Sequence, residues 1–229
     1  ISFTINTTSN TPTLTLAAGL VCVGASEDTT VMFSIPSSIT TTVNNGVATF
    51  DNIEVFQGTF LRKQFLVDGS LDQRFLLDNS FIDSSTIVVK VAGLSEAGTL
   101  GREYTLAENI LNIDSTSETY LIQEVQDEKY ELLFGDGYFG KKLENGAIIT
   151  ATYIITDGKD GNGSANFSYS GRVLDSIGNP VVPTNNISIT TNSSAANGGD
   201  IESIDSIKYF APRIYASQYR AVTARDYEA

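Results

Sequence analysis

The stretch "YELLFGDGYFGKKLENG", Tyr130–Gly146, spaces three glycines as Gly135-x-Gly137-x-x-Gly140. Dinucleotide-binding loops use the same spacing, but they need a strand before the glycines and a helix after them, because the helix N-terminus binds the pyrophosphate. The segment before these glycines is strand-like, and the segment after them is also strand-like and is broken by an Asn-Gly pair. Without a helix the donors for a phosphate are missing, so the pattern does not predict a nucleotide site.

The same glycines predict tight turns. Asp136-Gly137 is a common hairpin signal, and glycine adopts positive φ without the steric cost that other residues incur. We therefore expect Gly135 or Gly137 at positive φ. We also expect Lys129–Phe134 to belong to the same β structure as the long strand that ends near Ile155.

Composition restricts the classes of partner. The 229 residues carry 14 basic and 27 acidic side chains, no histidine and a net charge of −13. Binding to nucleic acid or to an acidic membrane surface needs a stripe of Lys and Arg, which this sequence lacks, so we expect neither as a direct partner. The single cysteine, Cys22, excludes an internal disulfide and a multi-cysteine metal site, and its apolar neighbours are typical of a core.

The sequence contains no recognisable catalytic set. The absence of histidine excludes a His-assisted Ser, Cys or Thr nucleophile. Hydrolysis of a glycosidic bond by paired carboxylates stays an alternative, but no motif distinguishes one pair, and there is no Trp to stack on a sugar. We expect a protein that is not an enzyme and that needs no cofactor and no small-molecule substrate.

The segment "DGKDGNGSAN" offers hard oxygen ligands for calcium in Asp157, Asp160 and Asn162. The EF-hand spacing fails when it is counted from Asp160, because Ala165 takes the glycine position and Gly171 takes the glutamate position. We interpret the segment as a solvated turn, and a looser Ca²⁺ loop stays the alternative.

Alternation of apolar and polar residues with period two runs through most of the chain and predicts β-strands. Asn45-Gly46 predicts a hairpin turn, and "STIVVKV", Ser85–Val91, is the clearest β-branched strand. The charged turn "QDE" joins two further strands, "TYLIQEV" and "KYELLF". The predicted fold class is mainly β, with antiparallel β-sandwich or meander regions and a short helical C-terminal segment, as a fragment of a larger α+β protein.

A helical pattern follows a run rich in Ser, Asn and Gly. It predicts a helix with Asp200 as N-cap that ends near Phe210, because Pro212 disfavours helical geometry at the residue before it. Thr223 and Asp226 resemble a capping box and predict a second helix at the end of the chain. An apolar stripe with spacing three covers one face of the first helix: Ile201, Ile204, Ile207 and Phe210.

From Thr119 onward, the order of these signals resembles the baseplate J-like family of contractile tails. The first matching block has a tyrosine strand, an acidic turn, an FGDG turn, a Gly-Lys pair and a G…NG loop: Tyr120, Asp127-Glu128, Phe134–Gly137, Gly140-Lys141, Gly158 and Asn162-Gly163. The second block has a Gly-Gly-Asp-x-Glu-Ser helix start and three further matches: Ala211-Pro212, Arg220–Thr223 and Asp226-Tyr227. Within the family, the wedge proteins of T-even-like contractile-tail phages are most similar. Lys208 departs from the family, which commonly has arginine there.

The resemblance implies a structural subunit of the baseplate wedge in the virion tail. Such a subunit associates with itself and with other wedge and hub proteins, and it joins wedges into a ring around the tail hub. The apolar stripe is the expected interface, either with a further C-terminal domain or with a neighbouring subunit. A phage, a tailocin and a related injection machine stay open as settings. Because the chain begins at Ile1 rather than Met, we expect a piece of a longer polypeptide.

We divide the chain into four parts. They are an N-terminal β-rich region at 1–118, a baseplate J-like β region with the FGDG hairpin at 119–190, a flexible linker at 191–200, and the helical start of a C-terminal domain at 201–229. The alternative function is a β-sandwich carbohydrate-binding or adhesin-like module of a phage or bacterial surface. That class would cluster exposed aromatic residues on one face, whereas most Phe and Tyr residues here alternate as core residues do.

Overall fold

The computed structural model describes residues 1–26, 29–70, 73–96, 98–99, 101–107 and 113–217. The chain divides into two compact units, Ile1–Gly198 and Gly199–Ala229. The strands described for the first unit are β1 (Phe3–Asn6), β2 (Thr13–Leu16), β3 (Gly19–Ser26), β4 (Thr29–Ile35), β5 (Ile39–Asn44), β6 (Val47–Phe50), β7 (Phe56–Gln57), β8 (Thr59–Leu66), β9 (Phe75–Leu77), β10 (Ile82–Ala92), β11 (Arg102–Leu106), β12 (Thr119–Val125), β13 (Lys129–Phe134), β14 (Ile148–Ile155), β15 (Phe167–Tyr169), β16 (Val173–Leu174) and β17 (Pro180–Val181).

Within the described residues, these strands form three sheets. A six-stranded sheet has the order β1-β6-β5-β2-β16-β17, a seven-stranded sheet has the order β8-β14-β10-β11-β12-β13-β9, and a four-stranded sheet has the order β15-β3-β4-β7. Strands β11 and β12 run parallel, and the other pairs of strands are antiparallel. The prediction of a mainly β, antiparallel fold followed by a short helix is confirmed.

Two hydrophobic clusters fill the first unit. The first cluster takes its buried side chains from the six- and four-stranded sheets and includes Phe3, Ile5, Leu14, Leu16, Phe33, Phe50 and Val173. The second cluster belongs to the seven-stranded sheet and includes Leu77, Val89, Tyr120, Leu132, Ile149 and Tyr153. Cys22 lies in the first cluster, where burial raises the pKa of its thiol to about 12, so it acts as a core side chain.

Local signals account for two hairpins. Strands β5 and β6 meet at Asn45 and Gly46, which have φ values of +50° and +77°, as the Asn-Gly pair predicts. Strands β12 and β13 pair from Tyr120↔Phe134 to Val125↔Lys129 across the acidic turn. Two turn residues there, Asp127 and Glu128, also have positive φ.

The prediction that β13 and β14 belong to the same β structure is confirmed, but the predicted FGDG hairpin needs a correction. Both strands lie in the seven-stranded sheet, but they are not neighbours, because β10, β11 and β12 lie between them. Strand β13 pairs instead with β12 and β9. The FGDG segment is therefore not the turn of a hairpin between β13 and β14. A tight turn fixes only its local backbone, whereas the order of strands in a sheet depends on contacts that are distant in sequence.

The described part of the second unit contains one helix, α1 (Ile204–Ser217). Its start and its end both differ from the prediction. Ser203 caps its first turn, because its carbonyl accepts from Ile207 N at 3.0 Å and its hydroxyl from Ser206 N at 3.3 Å. Ile201 therefore precedes the helix, and Asp200 is not the N-cap. The helix also continues through Pro212.

The continuation of α1 through Pro212 has a local explanation. A proline removes one hydrogen bond and bends a helix, at a cost of about 3 kcal/mol, but it does not forbid helical geometry on both sides. Arg213 follows the proline; its guanidinium stacks on the Tyr209 ring at 3.5 Å and donates to the Tyr209 carbonyl at 2.5 Å. These contacts hold the turn that the proline weakens.

Candidate interaction surfaces

The glycine motif forms a closed loop between Gly135 and Gly140. A Cβ atom added to Gly135 would lie 2.2 Å from the carbonyl carbon of Gly140, so the two backbones touch and only glycine fits. Gly137 and Gly140 have φ values of +95° and +84°, which agrees with the predicted turn. The Asp136 carboxylate accepts from the N–H groups of Tyr138 at 2.8 Å and Phe139 at 2.9 Å, and these bonds lower its pKa.

The backbone donors of this loop are already engaged. Gly137 N–H donates to the Gly140 carbonyl at 3.1 Å, and Gly140 N–H donates to the Asp114 carbonyl at 2.9 Å. A phosphate would need such N–H groups to be free and aimed at one point. After Lys142 the chain runs toward strand β14 rather than into a helix. The glycines therefore build a loop in which the N–H groups from Gly137 to Gly140 already have acceptors within the protein.

An ion-pair network fixes the stem of the loop. Lys141 donates its N–H to the Ser117 carbonyl at 2.8 Å, and its ammonium group lies 2.7 Å from the Glu118 carboxylate. Arg102 joins Glu118 at 3.3 Å and Glu96 at 2.9 Å. The hydrogen bond from Lys141 lowers the pKa of Glu118, and Arg102 adds to this effect. Lys141 thus ties the loop to Glu118, which directly precedes β12, and Arg102 on β11 extends the network to Glu96.

This anchored loop presents two aromatic side chains to solvent. Tyr138 is 81% exposed and Phe139 is 65% exposed. Beside Phe139 lies a largely apolar cleft of about 370 Å³, bordered by Leu121 and Leu133, which are direct cross-strand neighbours on β12 and β13. We call Leu121, Leu133 and Phe139 the loop patch. Exposed aromatic side chains are typical of surfaces that bind other proteins.

Sequence reasoning missed the loop patch, although a signal for it exists. In a strand with period two, two consecutive apolar residues place one side chain on each face. Leu132-Leu133 has this form, with Leu132 buried and Leu133 exposed, and Leu121 follows the buried Tyr120 in the same way. The exposure of Tyr138 and Phe139 follows from the closed loop that carries them.

The helix α1 carries the second candidate surface. The side chains of Ile204, Ile207 and Phe210 are 69%, 46% and 42% exposed, and they share one face at spacings of three residues. Ile201 is also exposed, but it precedes the helix. We call Ile204, Ile207 and Phe210 the helix stripe. A stable surface helix normally buries such a face, because most helix stability comes from packing.

The segment that contains Asp157, Asp160 and Asn162 has a structural use. The Asn162 side chain accepts from Gly198 N at 2.9 Å and donates to the Gly198 carbonyl at 2.8 Å. Gly163 has a φ of +85° and donates its N–H to the Ala195 carbonyl at 2.8 Å. These bonds attach residues 195–198 to the loop of residues 157–163 within the first unit, and the flexibility of 191–200 stays a prediction. Among the described residues, no group of three or more His, Cys, Asp or Glu side chains is placed to hold a metal ion.

Several sequence-predicted residues cannot be placed. Arg220, Thr223, Asp226 and Tyr227 lie outside the described residues, and so does the second predicted helix. Pro212 lies inside α1 rather than at its end. Along the described part of the chain, no helix is long and apolar enough to cross a membrane.

The protein is mainly β, and its candidate functional features are two apolar surfaces, the loop patch and the helix stripe. No family model matches the chain, so membership of the baseplate J-like family stays a prediction. The chain is 27% identical over 201 residues to "Baseplate wedge protein gp6" of Enterobacteria phage T4. The match covers 78% of this chain and 28% of that protein, so the chain spans less than a third of the curated relative. The similarity indicates a distant relationship to a phage baseplate protein and a structural role in a phage.

Proposed function

We propose that this chain is part of a structural subunit of a contractile-tail baseplate wedge, located in the tail of the virion. The observation that supports this most is its similarity to a baseplate wedge protein along 78% of its length. The proposed subunit is not an enzyme. It associates with itself and with other wedge and hub proteins, and it joins neighbouring wedges into a ring around the tail hub.

The charge of the chain supports protein partners over other classes. A net charge of −13 opposes direct contact with nucleic acid and with acidic membrane surfaces. The same charge keeps separate copies apart in solution wherever their acidic surfaces face each other. Association therefore needs an apolar contact, and the helix stripe supplies one.

The proposed interface follows from the exposure of the helix stripe. Ile204, Ile207 and Phe210 place three large apolar side chains in water. Covering them with a neighbouring subunit removes about 0.8 kcal/mol of unfavourable hydration for each buried CH₂ group. We expect the 229-residue chain to self-associate through this stripe, and we expect the segment 1–198 to be a monomer.

Analytical ultracentrifugation tests this interface. Ile204→Asp and Ile207→Asp together should weaken self-association at least about tenfold, because they place charges in an apolar contact. Asp205→Asn is the control, since Asp205 is exposed on the other side of the same helix. Unchanged association of the double variant would contradict the interface. Self-association of segment 1–198 alone would place the contact in the β unit instead.

A second function is supported by one observation. Tyr138 and Phe139 are adjacent exposed aromatic residues on a fixed loop, which is the kind of platform that a carbohydrate-binding or adhesin-like module uses. This alternative expects a glycan to bind the chain in calorimetry and expects Tyr138→Ala with Phe139→Ala to abolish that binding. The wedge function expects no glycan binding.

A further inference from the structure

Asparagine is followed by glycine at four places in the chain: Asn45, Asn145, Asn162 and Asn197. Such a pair is chemically labile, because the backbone nitrogen of the glycine can attack the side-chain amide carbon of the asparagine. Glycine has no side chain to obstruct this attack. A glycine N–H that donates to an acceptor must first give up its hydrogen bond, which costs free energy. The contacts of the glycine N–H therefore distinguish a protected pair from a reactive one.

Two of the pairs are protected by backbone carbonyls. Gly146 N–H donates to the Val67 carbonyl at 2.7 Å, and Gly163 N–H donates to the Ala195 carbonyl at 2.8 Å. In each pair the glycine nitrogen can attack only after this hydrogen bond has opened. The free energy of one such bond slows the attack by about tenfold.

A third pair, Asn197-Gly198, is protected by another asparagine. Gly198 N–H donates to the side-chain oxygen of Asn162 at 2.9 Å. The amide nitrogen of Asn162 donates in turn to the Gly198 carbonyl at 2.8 Å. These two bonds also hold the Asn162 side chain, so they restrain its own reaction with the next glycine.

The fourth pair, Asn45-Gly46, lies at the tip of the hairpin between β5 and β6, where both residues have positive φ. Asn45 is exposed. Among the hydrogen bonds of the described residues, none involves the Asn45 side chain or the Gly46 N–H. The Gly46 carbonyl accepts from Thr7 N at 2.9 Å, a contact that leaves the nitrogen available. Exposed turns also open at a low cost in free energy, so both reacting atoms can meet.

From these contacts we propose that Asn45 is a site of spontaneous deamidation in the folded chain, with water as the co-reactant. The Gly46 nitrogen bonds to the amide carbon of Asn45, and the amide group leaves with the proton of that nitrogen as ammonia. The product is a succinimide ring, which water opens at either carbonyl. One opening gives aspartate, and the other gives isoaspartate, in which the main chain runs through the former side chain. This proposal does not rest on the wedge function.

The modification acts on the hairpin that carries it. Isoaspartate adds one carbon atom to the main chain at the turn, and both products add a negative charge. Next to the turn, β5 and β6 pair through Asn44↔Val47 and Val43↔Ala48, and Ala48 is fully buried. The geometry of a hairpin turn fixes the register of its strands, so a longer turn disturbs this pairing. We expect the deamidated chain to have a lower Tm than the unmodified chain.

Mass spectrometry of peptides from the 229-residue chain tests the proposal after incubation in mildly alkaline buffer made with heavy-oxygen water. Each deamidated position takes up one heavy oxygen atom, which separates it from reaction during digestion. We expect product at Asn45 to form about tenfold faster than at each of the other three asparagines. In denaturant, where these hydrogen bonds are absent, the four pairs should react at similar rates. Equal rates in the folded chain, or a faster rate at another pair, would overturn the proposal.

Two variants test the physical reason for this selectivity. Asn162→Ala removes the acceptor of Gly198 N–H, so it should raise the rate at Asn197 about tenfold and leave the rate at Asn45 unchanged. Asn162 is exposed, and an unchanged rate at Asn45 also shows that the variant is folded. Asn45→Gln would have to form a larger ring, so its Tm should stay constant during the incubation. An unchanged rate at Asn197 in Asn162→Ala would contradict protection by the acceptor and, with it, the assignment of Asn45.

Discussion

At the scale of single residues, the glycine loop uses two different properties of glycine. Gly135 is needed for space, since its backbone touches that of Gly140, whereas Gly137 is needed for conformation, with φ at +95° and only the Lys142 side chain nearby. The spacing of the three glycines therefore allows a closed loop, and this loop carries Tyr138 and Phe139. In a nucleotide site, the same spacing of glycines leaves N–H groups free to bind phosphate. In this loop, the N–H groups from Gly137 to Gly140 already have acceptors.

Substitution of these two glycines should destabilise the fold. Gly135→Ala forces a Cβ into the Gly140 backbone and should cost about 2–3 kcal/mol. Gly137→Val places a β-branched residue at positive φ and should cost about 2 kcal/mol. For a chain of this size, thermal melting should show a decrease in Tm of roughly 4–10 °C in either variant. Gly199→Ala is the control, because no atom lies within 4 Å of the added Cβ. An unchanged Tm in Gly135→Ala would contradict the close contact.

At the scale of elements, a partly buried ion pair ties β9 to β13. Arg74, just before β9, donates Nε to one oxygen of Glu131 at 2.8 Å and Nη2 to the other at 2.6 Å. The Glu131 side chain is 10% exposed, and the hydrogen bonds from Arg74 lower its pKa. Because Arg74 remains half-exposed, solvent screens part of this interaction.

The Glu131 pair should make stability depend on pH. A carboxyl group with a lowered pKa stabilises the fold above its unfolded pKa of about 4.3, and this contribution is lost as the pH falls through the lower folded pKa. Glu131→Gln should lower the free energy of unfolding by about 1 kcal/mol at pH 7. Below about pH 4, the stability of this variant should decrease less than that of the unsubstituted chain. Urea unfolding from pH 7 to 3 measures both effects. Glu103→Gln, which removes a looser pair with Lys90 at 3.5 Å, is the control.

Elements fixed by local chemistry were predictable from the sequence, and elements fixed by distant contacts were not. Asn45-Gly46 and the acidic turn each dictate a hairpin within a few residues, and both hairpins form. The separation of β13 from β14 depends on three intervening strands, which no local pattern encodes. The predicted helix end at Pro212 was wrong. A proline weakens only one turn, and here the contacts between Arg213 and Tyr209 hold that turn. The spacing of apolar residues in the sequence indicated the helix stripe. The loop patch can be recognised only once the pairing of Leu121 with Leu133 across β12 and β13 is known.

At the scale of the whole molecule, the first unit builds its two hydrophobic clusters from different parts of the chain. The first cluster combines buried residues between Ile1 and Ile53 with Val173, while the second uses residues between Val67 and Tyr153. The second cluster supports β12 and β13, and therefore the loop patch. A stable β unit with an anchored loop on one side suits a subunit that is held by neighbours, and the distant similarity to a baseplate wedge protein favours the same role.

A cryo-EM map of the intact particle that carries this chain tests the central claim most directly. The proposed function predicts several copies around the tail hub in the baseplate, each touching the next. The helix stripe should lie buried at the contact between copies. Density for the chain outside the baseplate, for example on a fibre or a capsid decoration, would contradict the wedge function. Density in the baseplate with the helix stripe exposed to solvent would contradict the proposed interface.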